Sequence, residues 1–147
     1  IMETWHNMAY EHYKNNVKLK EGALEFLHSL KKSGIKIGLA TSNSMPLLEV
    51  TLKSNNIFDL FDAITITDEV KKSKSNPDIY LLSAKKLNVS PKECIVFEDI
   101  IAAVRGAKLA GMKVTAIYDE HSKHQEDLLR KESNNYIYSY KELLNNL

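Results

Sequence analysis

In Cys94-Ile95-Val96-Phe97-Glu98-Asp99, four apolar residues run directly into two adjacent carboxylates. A run too short for most helices and apolar throughout reads as a strand buried on both faces. The acids then fall at its carboxyl end, the edge where open parallel α/β sheets bind ligands. A helix is expected at once, from about Ala102 to Ala110, with Gly111 ending it. Two carboxylates at a strand tip need water, a cation or a basic partner, because burying them unpaired is costly. A hard divalent ion takes oxygen ligands of this kind. Taken alone, the pair has an equally plain reading: an Asp capping the next helix and a solvated Glu.

Working outward, the same strand–polar tip–helix pattern recurs. Ile35 to Ala40 is a strand ending in Thr41-Ser42-Asn43-Ser44, followed by a helix from about Met45 to Ser54 with Pro46 in its first turn. Hydroxyls and an amide before a helix N-terminus suit an anion, since free N–H groups and the helix dipole both favour negative charge. Ser and Asn are also the preferred helix caps. Ala63 to Thr67 is a third strand, followed by Asp68-Glu69, and Val70 to Asn76 is a basic loop holding Lys71, Lys72 and Lys74. Loop lysines are usually solvated, but one fixed beside the helix that Pro77-Asp78 opens, running to about Leu87, would balance a phosphate. Lys113 to Tyr118 is a fifth strand ending at Asp119, with a helix from about Ser122 to Lys131 behind it. Tyr136-Ile137-Tyr138 is a last strand, and Ser139 with Glu142 forms a capping box for a final helix to Leu147.

On the amino-terminal side, Ala23 to Lys32 is a helix with Leu24, Leu27 and Leu30 on one side, and Lys18 to Gly22 is a link. Trp5, Met8, Ala9, His12 and Tyr13 fall at helical spacing, so an amphipathic helix is expected over about Met2 to Tyr13. His6 and His12 have no metal-ligand partners at matching spacing and read as packing or solvent-facing residues.

Strands alternating with helices of this length imply an α/β fold, a parallel sheet with helices on both faces. Right-handed crossovers put every strand's carboxyl end on one edge, which gathers Thr41, Asp68, Glu98, Asp99 and Asp119 there. Leu39, Ile64, Val96 and Ile117 are the expected central, buried strand residues.

The 147 residues make about one domain. Apolar residues are 44% and charged residues 27%, ordinary for a globular protein, and the formal net charge of +1 gives no reason to expect nucleic acid or a membrane surface as partner. The single cysteine, Cys94, excludes an internal disulfide and reads as a packed core thiol, which fits a cytoplasmic setting. No apolar run approaches the ~18 residues of a membrane span, and no signal peptide is visible. The chain opens on Ile1 with no strand and reads as a piece cut from a longer protein.

With these motifs in place, the sequence resembles the haloacid dehalogenase-like superfamily, within it the phosphatases and phosphomutases related to β-phosphoglucomutase and phosphoglycolate phosphatase. Three of the family's four motifs match: Ile37 through Asn43, Ser73 through Tyr80, and Ile95 through Met112 with its Ala110-Gly111-Met112 ending. The likeness runs from about Gly22 to Leu147. It implies a three-layer α/β/α Rossmann-like core lacking the first strand and most of the helical cap. Residues 1–16 would be the cap's last helix and 17–147 the core domain. It implies Mg²⁺ as cofactor and a small phosphorylated metabolite as substrate. It also implies that Thr41, Ser42, Asn43 and Lys74 bind phosphate, with Thr41 and Lys74 in the catalytic machinery. Asp99 would ligate the metal, with Glu98 a ligand through water or an anchor behind it.

The family's first motif, Asp-x-Asp-x-Thr, which carries the nucleophile, occurs nowhere in this chain. Ser73, Ser75, Ile100 and Ala103 also depart from the commoner Gly, Pro, Ser and Gly. The missing strand would leave an open sheet edge that invites association with another chain. Two classes of function stand: a phosphatase or phosphomutase seen without its nucleophile, and a non-catalytic phosphate-binding or scaffold domain that has lost it. A receiver-type signalling domain shares the acid cluster, but no phosphoacceptor strand is found for it.

Overall fold

The computed structural model describes residues 2–5 (backbone), 20–54 and 56–144. Among the described residues six strands form one sheet: β1 (Met2–Trp5), β2 (Lys36–Thr41), β3 (Ala63–Ile66), β4 (Cys94–Glu98), β5 (Lys113–Ile117) and β6 (Asn135–Ile137). Their order is β3-β2-β1-β4-β5-β6, and every neighbouring pair is parallel. The helices are α1 (Ala23–Lys32), α2 (Met45–Ser54), α3 (Thr67–Val70), α4 (Asp78–Leu87), α5 (Ile101–Leu109), α6 (Glu126–Glu132) and α7 (Lys141–Leu144).

Successive strand residues point to opposite faces, and the buried residues divide accordingly. Ile37, Leu39, Phe97, Ile117 and Ile137 pack with Phe26, Leu27 and Leu30 of α1, Leu48 and Leu52 of α2, and Tyr140 before α7. Ala40, Val96, Val114 and Ala116 pack with Ile79, Tyr80 and Ala84 of α4, Val104 and Ala107 of α5, and Leu129 of α6. The result is the expected three-layer α/β/α core. Leu39, Val96 and Ile117 are buried in it as expected. Ile64 is only partly buried, because β3 is an edge strand with one neighbour and less cover.

The amino terminus departs from expectation. Met2–Trp5 is a strand, not the start of a helix, and it lies between β2 and β4 in register with both, Thr4 opposite Gly38 and Val96. The strand position expected to be empty is therefore filled from this chain, and the open edge expected there is covered. The physical reason is that β2 and β4 would otherwise each present a row of unpaired backbone donors and acceptors in the middle of the sheet. Satisfying two such rows outweighs the helical periodicity of Trp5, Met8 and His12. The remainder of the expected helix and the 16/17 domain boundary lie outside the described residues.

Smaller differences follow from the ends of strands. Thr67 does not extend β3 but opens the one-turn helix α3, whose Glu69 carboxylate accepts the Ile66 N–H at 2.9 Å. The stretch after Asp119 is a 3-10 segment, Glu120–Gln125, before α6 begins. The capping box at Ser139 forms as read, with Lys141 N–H donating to Ser139 Oγ at 3.1 Å and Ser139 N–H to Glu142 Oε2 at 3.2 Å.

Candidate functional site at the strand tips

β2 and β4 flank β1, so Thr41 and the Glu98-Asp99 pair stand one strand apart on the carboxyl edge. Lys74 spans the gap. Its ammonium lies 2.8 Å from Glu98 Oε2 and donates to the Ala40 carbonyl at 3.3 Å, one residue before Thr41. Tyr80, from the first turn of α4, donates its hydroxyl to the same Glu98 oxygen at 2.6 Å. Lys74, Tyr80 and Glu98 are all buried. Burial disfavours both charged forms, raising Glu98 to about 7 and lowering Lys74, while each partner's charge opposes the other's shift. Tyr80 is pushed well above the usual phenol range, by burial first and then by the Glu98 charge.

The loop that carries Lys74 is held by a close approach to α5. A Cβ built on Gly106 would come within 1.9 Å of the Lys74 carbonyl oxygen and 2.9 Å of that of Asn76. Only a residue without a side chain lets the loop backbone lie against the helix there.

Around Thr41 the chain turns tightly. Thr41 is buried, and its Oγ1 accepts the Asn43 N–H at 3.1 Å. Ser42 is exposed, and with Thr67, Asp68, Lys71, Lys72 and Ser73 it lines a shallow recess of about 280 Å³. α2 begins three residues after Ser42, so its N-terminal N–H groups lie at this end of the site. Asp68, expected on the strand edge, sits exposed on α3 at the rim of the recess.

Asp99 has a different neighbourhood from Glu98, although the two are adjacent in sequence. Its Oδ2 lies 3.6 Å from Lys20 Nζ, and Lys20 donates a closer hydrogen bond to Asp119 Oδ2 at the tip of β5. Asp99 is raised above the ordinary aspartate value, by burial first and also by the Asp119 charge, with Lys20 and Lys74 opposing. Burial pushes Asp119 up too, but hydrogen bonds from Lys20 and from the His121 N–H, the latter at 2.8 Å, hold it below the usual range. Ser122 Oγ donates to the Asp99 carbonyl at 2.6 Å, tying the loop after β5 to the tip of β4. Among the described residues no group of three His, Cys, Asp or Glu side chains comes together as a metal cage.

The sequence pointed to Thr41, Ser42, Asn43, Lys74, Glu98 and Asp99, and the fold brings Lys74 onto Glu98 while Asp99 turns to Lys20. Tyr80, Lys20, Gly106 and Ser122 were not foreseen as site residues. Tyr80 reads as one more core residue of an amphipathic helix and Lys20 as part of a link; nothing local marks either as a carboxylate's partner.

A model of the haloacid dehalogenase-like hydrolase family matches residues 1–117. The chain belongs to this family. Among its relatives, "Putative phosphatase YhcW" of Bacillus subtilis (strain 168) is 42% identical over 100 residues, covering 68% of this chain and 46% of that protein. A crystal structure of CbbY from Rhodobacter sphaeroides in complex with xylulose-(1,5)bisphosphate matches with a TM-score of 0.78 and 28% identity, over 85% of this chain and 56% of that one. A β-phosphoglucomutase from Clostridium difficile matches with a TM-score of 0.72 and 32% identity, over 85% of this chain and 52% of that one. The chain thus spans about half the length of the curated family members it matches. No described helix of this family member is long and apolar enough to cross a membrane.

Proposed function

We propose that this chain is the core of a cytoplasmic Mg²⁺-dependent phosphatase or phosphomutase that acts on a small phosphorylated metabolite through an aspartyl-phosphate, the nucleophilic aspartate not being among its residues. One observation carries the reading. A buried ammonium, Lys74, is locked by Glu98 and Tyr80 onto the carbonyl preceding Thr41, beside the N-terminal end of α2. Preorganised charge of this kind, aimed where phosphoryl oxygens gather, is the largest contribution a protein makes to phosphoryl transfer. In this reading the Thr41 hydroxyl, the Ser42 N–H and Asn43 orient the phosphate, and Lys74 neutralises it. Glu98 and Tyr80 hold Lys74 in place.

The residues present fit a magnesium ion. Asp99 and Asp119 present two hard carboxylates to one cation, the Lys20 ammonium, and Mg²⁺ needs only one or two carboxylates when water and substrate phosphate complete its octahedron. Asp99 would hold it, with Glu98 behind as the anchor of Lys74. Such an ion supplies charge neutralisation at the phosphoryl oxygens. A sugar phosphate or similar metabolite as substrate is supported by the bisphosphate bound in the CbbY structure and by the β-phosphoglucomutase match.

The test has two parts. Binding of inorganic phosphate to the chain, followed by ³¹P NMR, is expected to weaken about tenfold or more in Lys74→Met and in Thr41→Val, losses of the size that removing a charged or neutral hydrogen-bond partner produces. Turnover of an aryl phosphate with Mg²⁺ is expected at background for the chain as given, because covalent catalysis needs its nucleophile. Replacing the Met2–Trp5 strand, which occupies the position between β2 and β4, by one that ends in Asp-x-Asp-x-Thr is expected to lift turnover above background. Background turnover in both forms with phosphate binding intact would favour the scaffold reading. Activity of the chain as given that dies with Asp99→Asn would overturn the account of the nucleophile.

A further inference from the structure

The cation that joins Asp99 to Asp119 comes from the chain itself. Lys20 reaches from the link before α1 to the tips of β4 and β5, and its Nζ also lies 3.5 Å from the Tyr118 carbonyl. An ammonium ringed by carboxylate and carbonyl oxygens occupies the kind of position a hard metal ion would take. The main chain beneath it is pinned. Ala23 N–H donates to the Lys20 carbonyl at 3.0 Å, and Ser139 Oγ donates to the Glu21 carbonyl at 3.2 Å. Gly22, at φ 82°, packs so closely on the start of α7 that a Cβ there would meet Lys141 N at 2.6 Å. The side chain, by contrast, is a flexible four-carbon stem, and at 17% exposure it has a way out to solvent. Lys74 cannot make the same move, being sealed between Glu98 and the Ala40 carbonyl.

We infer that Lys20 is a built-in counter-ion that holds the Asp99–Asp119 pair in the metal-free protein and is displaced when a divalent cation binds there, so that Lys20 and Asp119 set the affinity of the site. The inference rests on the reading of Asp99 as the metal ligand. A divalent ion carries twice the charge of an ammonium and keeps several waters, so Asp99 and Asp119 would hold it in preference to Lys20, whose side chain would swing clear. As long as Lys20 competes, the apparent affinity is lowered.

Calorimetry with Mg²⁺, and spin resonance with Mn²⁺ as probe, on the full 147-residue chain test this. Lys20→Met is expected to bind Mg²⁺ up to about fivefold more tightly than the unaltered chain, the change that losing one partly exposed competing ion pair represents. Lys20→Arg, which keeps the charge, is expected to show no gain, and Asp119→Asn combined with Lys20→Met to lose it. In the unaltered chain, NMR of lysine side chains should show the Lys20 signal moving as Mg²⁺ saturates while that of Lys74 stays in place, a measurement that needs no variant to fold. Binding that Asp99→Asn abolishes but Lys20→Met leaves unchanged or weakens would overturn the inference while sparing Asp99 as ligand. A Lys20 signal that stays fixed through saturation would also overturn it. Absence of Mg²⁺ binding in every form would overturn both.

Discussion

Glu98 and Asp99 are neighbours in sequence and carry the same chemical group, yet they stand in two different regions of the sheet edge. Glu98 and its partner Lys74 are sealed, with side chains 0% and 5% exposed. Asp99, Asp119 and Lys20 keep 14–20% of theirs open. The sealed pair is further fixed by Tyr80 and by the loop pressed on Gly106, whereas the open one is joined by a flexible stem. Water decides the difference. A carboxylate deprived of it must keep its partner permanently and becomes a positioning group. One that retains some can exchange its partner and becomes a binding group. The candidate site thus has a sealed half and a partly open half; in the function proposed above, the first places a positive charge and the second accepts one.

The contrast breaks first at Lys74. Lys74→Met leaves Glu98 buried against an apolar side chain, and an uncompensated buried charge costs about 3–5 kcal/mol. Urea unfolding in alkaline solution measures it. Glu98 is raised to about 7 by burial even with Lys74 pulling it down, so without Lys74 the carboxyl takes up a proton at a higher pH still, and the loss should shrink as the pH falls towards 7. A loss under about 1 kcal/mol in alkaline solution would mean that the pair is not sealed.

Gly106→Ala attacks the same half through the backbone. With only 1.9 Å between the new Cβ and the Lys74 carbonyl oxygen, loop and helix must part. A cost of about 1–3 kcal/mol is expected, accompanied by faster amide exchange in residues 73–77. A variant of unchanged stability and exchange would contradict the close approach.

Tyr80→Phe removes one hydrogen bond to the buried carboxylate and is expected to cost about 1.5–3 kcal/mol. Asp119→Asn, in the open half, is expected to cost no more than about 1 kcal/mol in the metal-free protein. The two melting curves measured side by side rank the regions, and a larger loss for Asp119→Asn than for Tyr80→Phe would reverse the comparison.

The smallest effect is expected far from the site, at the other end of β2. Asp62 accepts the Ile37 N–H at 2.8 Å and pairs with Lys31 at 2.8 Å. Burial pushes its carboxyl up, but those two partners outweigh it and hold the pKa below 3.8. The folded value is thus the lower one, so the contribution is present above 3.8 and is lost as the pH falls through the folded value. Asp62→Asn should flatten the acid limb of a stability–pH curve slightly and leave the neutral region alone. A change confined to neutral pH would contradict that sign.

Much of the molecule was legible from local pattern. The apolar runs at Ile35–Ala40, Cys94–Phe97 and Lys113–Tyr118, with helix signals between them, forced a parallel sheet, because short strands joined by helical crossovers have one handed solution. That solution alone put Thr41, Glu98, Asp99 and Asp119 on one edge. Residue type then marked the Thr41 to Ser44 tip as suited to an anion, and the family resemblance picked Lys74 out of the three loop lysines.

What tertiary structure decided is which of these groups met. Burial at a strand tip depends on what packs over it, so only the docking of α4 and its loop gave Glu98 to Lys74 and Tyr80 and left Asp99 to Lys20. A strand also exists only where other strands need it: Met2–Trp5 begins a stretch whose spacing from Trp5 onward reads as helical, and is a strand because β2 and β4 offer unpaired backbone on both sides. The spacing of residues along a chain determines periodicity and handedness. It does not determine which distant side chain completes a hydrogen bond, since that partner is brought by the fold and leaves no mark near the residue it serves.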